Sequence, residues 1–490
     1  MIPRLTILSL TALTAALSFG AALDVDGKMN AESPRLVLGV LGDMHVRAPG
    51  ADGSVPPEFS ADKVRRILLY FRERQVDGVI CTGDIADRGS HDEFKAFADV
   101  WYGVFPDNRR PDGATVEKLF VFGDHDVLQM MNWTPETAAR RAELWERVWH
   151  EPYCRFVRKE VKGYVFLGAH FENSGYKGED LERWLASEAA KTDPSKPFFY
   201  AQHRHLTGTC YSPFGGDVCG GGTATARILS AHPNALAFSG HSHYSLTEEA
   251  GFWRGSFTSL GTGAAAYNLD LRRGRENGDY ESKERKTMPP LRAGLDPAHP
   301  LMVQGSLLTV WDDRITVERR EFVFGEKLGP DWTIPWPPRT VDPKADWKAR
   351  GEAAAADRLS FLPGGVKIVC EDGVNRQKER EKQIVVSFPS AVGKGDNRAW
   401  DYEVRLETPC GDWDRLRGLR RVQAPDFYMP KGHEPAEVSC AFSASELRTD
   451  GRVFLKAVVT VIDPFGNRHA VLESPVRVIT LAFGKTGEKE

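Results

Sequence analysis

The sequence has little excess of charge of either sign. Its 490 residues include 64 lysines and arginines and 68 aspartates and glutamates, which gives a formal net charge of -4 at neutral pH. A protein that binds nucleic acid through a basic face clusters its lysines and arginines, and no such footprint is present. The sequence also has no short internal repeat and no low-complexity segment, which excludes short-repeat architectures.

Long apolar runs are scarce, and the one near the amino terminus is short. It covers Leu5 to Phe19, follows Arg4, and is succeeded by small residues at 20–22 and by Asp24. Because a membrane-spanning helix needs about 20 apolar residues, a membrane anchor is the less favoured alternative. We expect residues 1–22 to be a cleaved signal peptide that directs export to the periplasm or the medium. No later segment of the sequence could span a membrane.

Cysteines are few, seven in all, and their number is odd. An exported chain can form disulfides, and we expect one between Cys210 and Cys219, which bracket a loop containing glycine and proline. At least one thiol must then stay free or pair with another chain. Cys81 lies in an apolar run, which favours a buried side chain over a reactive one.

The first part of the chain has short apolar runs that end in polar clusters and are often followed by amphipathic segments. The apolar runs cover residues 36–41, 79–81, 119–122, 164–167, 198–201 and 236–238. Together with the amphipathic segments 61–74 and 134–149, they predict an α/β domain. Runs at 307–310 and 315–318 predict a hairpin that closes this domain.

The remaining chain has the pattern of a separate domain. From residue 365 onward, strand-like stretches alternate with turns, which predicts a small β-sandwich over residues 365–484. Residues 339–364 are then a linker, and residues 34–338 form the first domain. For the added domain, a packing or bracing role is favoured over ligand binding, because fold alone does not define function.

Five polar clusters follow the apolar runs directly, where strands should end. They are Gly42-Asp43-Met44-His45, Gly83-Asp84, Gly123-Asp124-His125-Asp126, Gln202-His203-Arg204-His205 and Gly240-His241-Ser242-His243. Carboxylate oxygens and imidazole nitrogens suit divalent ions such as zinc, manganese or iron. If the strands continue, residues two apart, such as Asp43 and His45, face the same site. One cluster alone says little, but five in series predict a metal centre.

The ordered series resembles the calcineurin-like metallophosphoesterase superfamily, whose pattern is Asp-x-His, Gly-Asp, Gly-Asn-His-Asp/Glu, a histidine, and Gly-His-x-His. The likeness covers residues 36–262. It implies a sandwich of two mixed sheets flanked by helices, with two divalent metal ions (Mn, Zn or Fe) between the sheet ends. It also implies two ligand sets that share Asp84 as a bridge: Asp43, His45, Asp84 and His243 for one ion, and Asp84, Asp124, His203 and His241 for the other.

The resemblance further implies a metal-dependent phosphatase or phosphodiesterase, in which a hydroxide bridging the metals attacks phosphorus. His125 matches the residue that assists the leaving group, and Asp126 matches the acidic residue that orients it. Arg204 could bind a phosphate oxygen or point outward, and both alternatives stay open. The substrate would be a small phosphate ester or a cell-envelope phosphate. Monoesters and diesters are not separated by these motifs.

Two positions depart from the patterns of known relatives. Asp124 stands where the superfamily has asparagine, and its extra negative charge can strengthen metal retention while weakening the attraction for phosphate. Asp87 stands where purple acid phosphatases place a tyrosine, which disfavours a purple iron centre. The alternative to an enzyme is a surface binding or scaffold protein on a degenerate hydrolase fold, motivated by Asp124 and by the added domain.

Overall fold

The structure is a computed structural model that describes residues 33–130, 134–172, 178–210, 222–266, 302–374, 379–408, 418–427, 429–447 and 451–481. The expected signal peptide and Cys219 lie outside these residues. Cys210 is a buried free thiol, so the structure does not support the expected Cys210–Cys219 disulfide. Within the described ranges, no helix is both long enough and apolar enough to cross a bilayer.

The amino-terminal domain alternates strands and helices before it closes with antiparallel strands. Its elements are β1 (Leu36–Leu41), α1 (Ala61–Glu73), β2 (Gly78–Cys81), α2 (His91–Val104), β3 (Glu117–Phe120), α3 (Pro135–Trp149), β4 (Phe156–Val161), β5 (Tyr164–Ala169), α4 (Glu179–Ala189), β6 (Phe198–Ala201), α5 (Thr223–Leu229), β7 (Ala235–Ser239), β8 (Phe252–Arg254), β9 (Thr258–Gly261), β10 (Gln304–Val310), β11 (Arg314–Glu321), β12 (Glu326–Lys327) and β13 (Trp332–Pro335). The predicted runs therefore form strands, and β10 and β11 form the predicted hairpin.

These strands make two mixed sheets. One has the order β12-β11-β10-β1-β2-β3 with β13 beside β11, and the other has the order β4-β5-β6-β7-β9-β8. Strands β1, β2 and β3 are parallel to one another, as are β5, β6, β7 and β9, so their carboxyl ends lie at one edge of each sheet. The predicted α/β fold class is confirmed.

Side-chain alternation along the strands explains how the sheets pack. Leu38 and Val40 of β1 join a buried cluster that includes Phe199 and Phe238 of the second sheet, so these faces form the core of the sandwich. The opposite faces contribute to a second cluster with the apolar sides of the helices, for example Phe71 of α1. Two-sided burial is the reason that the strands read as continuous apolar runs in the sequence.

The carboxyl-terminal part is rich in β-structure. It contains β14 (Leu359–Phe361), β15 (Lys367–Val374), β16 (Arg380–Pro389), β17 (Ala391–Gly393), β18 (Asp401–Glu407), β19 (Leu419–Gln423), β20 (Glu437–Ser443), the short helix Ala444–Leu447, β21 (Gly451–Ile462), β22 (Arg468–Glu473) and β23 (Arg477–Leu481). A three-stranded sheet, β15-β16-β20, and a five-stranded sheet around β18 and β21 share one hydrophobic core. This arrangement agrees with the predicted β-sandwich.

A helix occupies the segment predicted to be a linker. It covers Pro343–Ala356, and Asp342 caps its amino end by accepting a hydrogen bond from Lys344 N. From this helix, Arg350 donates hydrogen bonds to the backbone oxygens of Phe252 and Glu249, 2.9 Å each, and pairs with the Glu249 carboxylate. The segment thus packs on the first domain, and its composition alone did not indicate this contact.

The carboxyl-terminal domain also contacts the first domain through a buried tryptophan. Trp400 is fully buried, and its Nε1 donates a 2.7 Å hydrogen bond to Glu248 Oε2. It shares an apolar cluster with Cys210, Tyr244 and Met429. The two domains are therefore joined by specific buried contacts.

Glu249 forms ion pairs with Arg319 of the first domain and with Arg350 of the helix Pro343–Ala356. These ion pairs predict that the stability of the contact between helix and domain depends on pH. Burial opposes ionisation, but Arg319 and Arg350 lower the pKa of Glu249 to about 2 from its ordinary value of 4.5. A lowered folded-state pKa adds stability above pH ~4.5 that is lost as the pH falls toward 2. Glu249→Gln should therefore lower the free energy of unfolding by about 1–3 kcal/mol at pH 7, and the deficit should shrink below pH ~4.5.

Urea unfolding at several pH values measures this deficit. The matched control is Glu352→Gln on the exposed side of the same helix, which should change stability by less than about 0.5 kcal/mol. If the loss of unfolding free energy in Glu249→Gln stays constant from pH 7 to pH 3, Glu249 does not have a lowered pKa in the folded protein.

Candidate metal centre

The candidate ligands lie in loops that begin at the carboxyl ends of five strands. Asp43 and His45 follow β1, Asp84 follows β2, and Asp124 follows β3. From the second sheet, His203 follows β6, and His241 and His243 follow β7. Because the carboxyl edges of the two sheets adjoin, residues up to 200 positions apart in sequence meet in one place.

The backbone in these loops differs from the extended conformation assumed from the sequence. Five candidate ligands have positive φ angles: Asp43 (52°), His45 (44°), Asp84 (51°), His241 (68°) and His243 (54°). Asp43 and His45 still face one site, as their spacing predicts, but they do so through these loop conformations and not by continuing a strand. Non-glycine residues seldom adopt this region, and such backbone strain concentrates at functional sites.

Glycines allow the loops to approach one another closely. A Cβ atom on Gly123 would lie 2.1 Å from Asp84 Oδ1, and one on Gly240 would lie 2.3 Å from Asp43 Oδ2. Both distances are far below van der Waals contact, so a side chain at either position would displace a candidate ligand.

The seven candidate ligands form two groups that share Asp84. The first contains Asp43, His45, Asp84 and His243, and the second contains Asp84, Asp124, His203 and His241. Within each group, one ligand atom from every residue lies within 4.8 Å of the others. The grouping coincides with the division implied by the superfamily resemblance.

The spacing of the ligand atoms suits metal ions. In the first group, His243 Nε2 lies 3.3 Å from His45 Nε2 and 3.4 Å from Asp43 Oδ1. Donor atoms held about 2.0–2.2 Å from one ion lie about 3–3.5 Å apart. Two imidazole nitrogens that face each other at 3.3 Å do not both carry a proton, so at least one lone pair points into this space.

The second group shows the same spacing and also contains an oxygen without a donor. His203 Nε2 lies 3.2 Å from Asp84 Oδ2, 3.0 Å from Asp124 Oδ1 and 3.2 Å from His241 Nδ1. Asp124 Oδ1 is buried and makes no hydrogen bond within the described residues. A buried carboxylate oxygen requires a positive partner, and a divalent cation is such a partner.

Hydrogen bonds on the far side of the rings set the histidine orientations. His203 Nδ1 donates to Thr82 O at 3.0 Å, and His243 Nδ1 donates to Ala266 O at 2.9 Å. His45 Nδ1 lies 3.3 Å from Asp87 Oδ1. A carbonyl oxygen can only accept, so these bonds leave the Nε2 lone pairs of His203 and His243 toward the site, as is usual for metal ligands.

The electrostatics of the site favour a bound cation. Asp43, Asp84 and Asp124 bring three carboxylates into one largely buried volume. Burial raises the pKa of Asp43 to about 8. Burial acts in the same direction on Asp84, but His203 and His45 lower its pKa to about 2. Divalent cations would stabilise all three ionised carboxylates together.

His125 lies beside the first group, but its expected partner does not orient it. His125 Nδ1 is 2.7 Å from Asp87 O, and His125 N donates to Asp84 Oδ1 at 2.9 Å. The buried carboxylate of Asp126 instead accepts from Ala86 N at 2.8 Å and from Gly123 N at 2.7 Å. The interpretation of Asp126 as the group that orients His125 is therefore wrong, because its oxygens join the two loops around Asp84.

Asp87 was missed as a contributor to the site. Its carboxylate contacts His45 Nδ1 at 3.3 Å and accepts from Arg47 Nε at 2.7 Å, and its carbonyl oxygen accepts from His125. Its place in the loop after β2, three residues beyond Asp84, was the available signal. Asp87, which stands where purple acid phosphatases place a tyrosine, thus contacts both His45 and His125.

Arg204 and its neighbour His203 both point toward the site, which two consecutive residues of an extended strand would not do. Its Nη2 donates to Asp124 Oδ2 at 3.1 Å, and its guanidinium lies 4.9 Å from the centre of the Phe171 ring. The chain leaves the extended conformation after β6, so consecutive residues can both face Asp124. The outward-pointing alternative is excluded by this contact. Substrate binding by Arg204 stays a prediction.

Two mixed sheets carry an Asp/His cluster at their strand ends, which agrees with the fold and the site of a metallophosphoesterase domain. Residues 36–245 match the family of calcineurin-like phosphoesterases, and this segment is a calcineurin-like phosphoesterase domain. The resemblance inferred from the motifs is confirmed. A search of curated proteins found no match.

Solved structures that match this chain include two phosphatases. A dimetal phosphatase from Danio rerio is 13% identical with a TM-score of 0.37, covering 62% of this chain and 100% of that one. The purple acid phosphatase PPD1 from yellow lupin is 15% identical with a TM-score of 0.41, covering 62% of this chain and 55% of that one. Vacuolar Protein Sorting 29 from Cryptosporidium parvum is 10% identical with a TM-score of 0.27, covering 61% and 97%.

The contact between Gly123 and Asp84 generates a direct test of the site. Gly123→Ala would place a Cβ on the Asp84 carboxylate, which both groups share, so we expect at least about tenfold weaker binding of Mn²⁺ with little loss of secondary structure. Gly365→Ala is the control, because no atom of the residues that the structure describes lies within 4 Å of the added Cβ. Titration calorimetry measures the affinity, and equal Mn²⁺ binding by the two variants would contradict the geometry.

Proposed function

We propose that the protein is an exported, metal-dependent hydrolase of phosphomonoesters or phosphodiesters. The observation that carries the proposal is the pair of four-residue groups that share Asp84. Membership of residues 36–245 in a phosphoesterase family supports the same reaction class. The donor set of carboxylates and imidazoles fits Mn²⁺, Zn²⁺ or Fe ions.

Two divalent cations bound there would supply hydroxide from water near neutral pH and offset the negative charge of a phosphoryl group. The chain's own residues do the remaining work. Asp43, Asp84 and Asp124 provide fixed negative charge, and the hydrogen bonds of His203 and His243 to backbone carbonyls hold their rings in place. This preorganisation removes the cost of arranging the ligands during the reaction.

His125 is proposed to assist the leaving group. Its Nδ1 is engaged by Asp87 O, which leaves Nε2 for the substrate. As the oxygen of water bonds to phosphorus and the ester P–O bond breaks, a protonated His125 would give its Nε2 proton to the departing oxygen. Such proton transfer contributes roughly 100- to 10,000-fold in rate.

Export is proposed from the apolar segment at residues 5–19, which lies outside the described part of the chain. Fractionation of cells that express the full chain, followed by mass determination, tests it. We expect a mature protein beginning near residue 23 outside the cytoplasm. An uncleaved chain in the cytoplasm would contradict export and would leave the enzymatic proposal intact.

Loss of a shared or single ligand should abolish catalysis. With Mn²⁺ present, Asp84→Ala and His241→Ala should reduce hydrolysis of p-nitrophenyl phosphate or bis-p-nitrophenyl phosphate to below about 1% of wild type. His232→Ala is the control. His232 lies before the amino end of β7, whereas the ligands follow its carboxyl end, and its ring packs edge-on against Phe198. This variant should keep wild-type activity.

A panel of monoesters, cyclic nucleotides and other phosphodiesters then identifies the substrate class. Turnover that requires added metal and disappears with a chelator supports the proposal. If the metal-loaded protein cleaves no ester of the panel, the alternative of a binding or scaffold protein replaces it.

A further inference from the structure

Asp124 presents its two oxygens to different partners. Oδ1 faces the second group, 3.0 Å from His203 Nε2 and 3.5 Å from His241 Nδ1. Oδ2 accepts a hydrogen bond from Arg204 Nη2 at 3.1 Å. The same carboxylate therefore belongs both to the candidate metal site and to an ion pair.

The ion pair lies at the accessible side of the site. The side chain of Arg204 is 33% exposed and that of Asp124 is 17% exposed, whereas His203 is fully buried. The Phe171 ring, 4.9 Å away, supports the guanidinium. His241 of the second group is 21% exposed, so an incoming anionic group can reach the ion pair and His241, whereas His203 is covered.

The charges explain why such a pair is needed. Asp43, Asp84 and Asp124 place up to three negative charges around the two groups, and a neutral amide at position 124 would place only two. A third carboxylate strengthens the attraction for cations and repels an anionic substrate. A guanidinium 3.1 Å from the third carboxylate offsets that charge.

We propose that Arg204 is the charge partner of Asp124, which lets a carboxylate serve as a metal ligand at this position while phosphate can still enter. Arg204 is thus a positioning residue that acts through Asp124. The inference rests on the proposed function, because it assumes that the second group holds a cation.

If Arg204 is the charge partner of Asp124, its removal should change the affinities for cations and anions in a pattern that other roles do not produce. Removing the positive charge should tighten cation binding and weaken anion binding, so the two affinities move in opposite directions. Loss of a direct contact with phosphate would weaken phosphate binding and leave cation affinity unchanged. Loss of structural support would weaken both.

The experiment is a double-mutant cycle with Arg204→Gln, Asp124→Asn and the double variant. The dissociation constant for Mn²⁺ is measured by competition with a chromophoric chelator, and that for inorganic phosphate by calorimetry on Mn²⁺-loaded protein. In the wild-type background, Arg204→Gln should tighten Mn²⁺ binding and weaken phosphate binding by roughly tenfold each. In the Asp124→Asn background, its effect on Mn²⁺ should be less than about twofold.

Arg204→Lys keeps the positive charge but loses the planar guanidinium beside Phe171, so its Mn²⁺ affinity should lie closer to that of the wild type than the affinity of Arg204→Gln does. Equal effects of Arg204→Gln on Mn²⁺ in both backgrounds, or weakening of both ligands, would overturn the inference and leave the proposed function standing. A wild-type protein that takes up no divalent cation would overturn the proposed function and this inference together.

Discussion

The concentration of buried carboxylates at the sheet edge is the constraint on which the site depends. Three aspartates and four histidines converge with ligand atoms about 3 Å apart, and burial of like charges is unfavourable without a compensating cation. The surrounding structure keeps the carboxylates close together despite the repulsion between their charges. The side chains are held together by left-handed backbone at five ligands, by close glycine contacts, and by hydrogen bonds that the Asp126 carboxylate accepts from two loops.

Much of the fold could be predicted because each buried strand leaves a local signal. The apolar runs that became β1, β2 and β3 are continuous since both faces of the sheet are covered, and polar clusters mark their ends. The ligand set could likewise be named from five ordered motifs. The helix Pro343–Ala356 is not evident from the sequence, because none of its residues is buried and its contacts are made by partly exposed side chains such as Trp347 and Arg350.

The details of the site required the three-dimensional structure. The partners of Asp126 are backbone N–H groups of Ala86 and Gly123, and no side-chain pattern encodes such bonds. The facing of Arg204 depended on a change of backbone conformation after β6, which a strand rule cannot supply. The carboxyl-terminal domain also reaches toward the site: Trp400 bonds Glu248 and packs with Tyr244, the residue after His243. The bracing role of this domain stays a prediction.

The proposed function requires that Asp84 binds two divalent cations at once. Crystals of the wild-type protein grown with Mn²⁺ and measured at the manganese absorption edge test it most directly. The structure predicts two anomalous peaks about 3.5–4 Å apart, one on each side of the Asp84 carboxylate. Peaks absent from this cluster, or placed only among other residues, would contradict the claim.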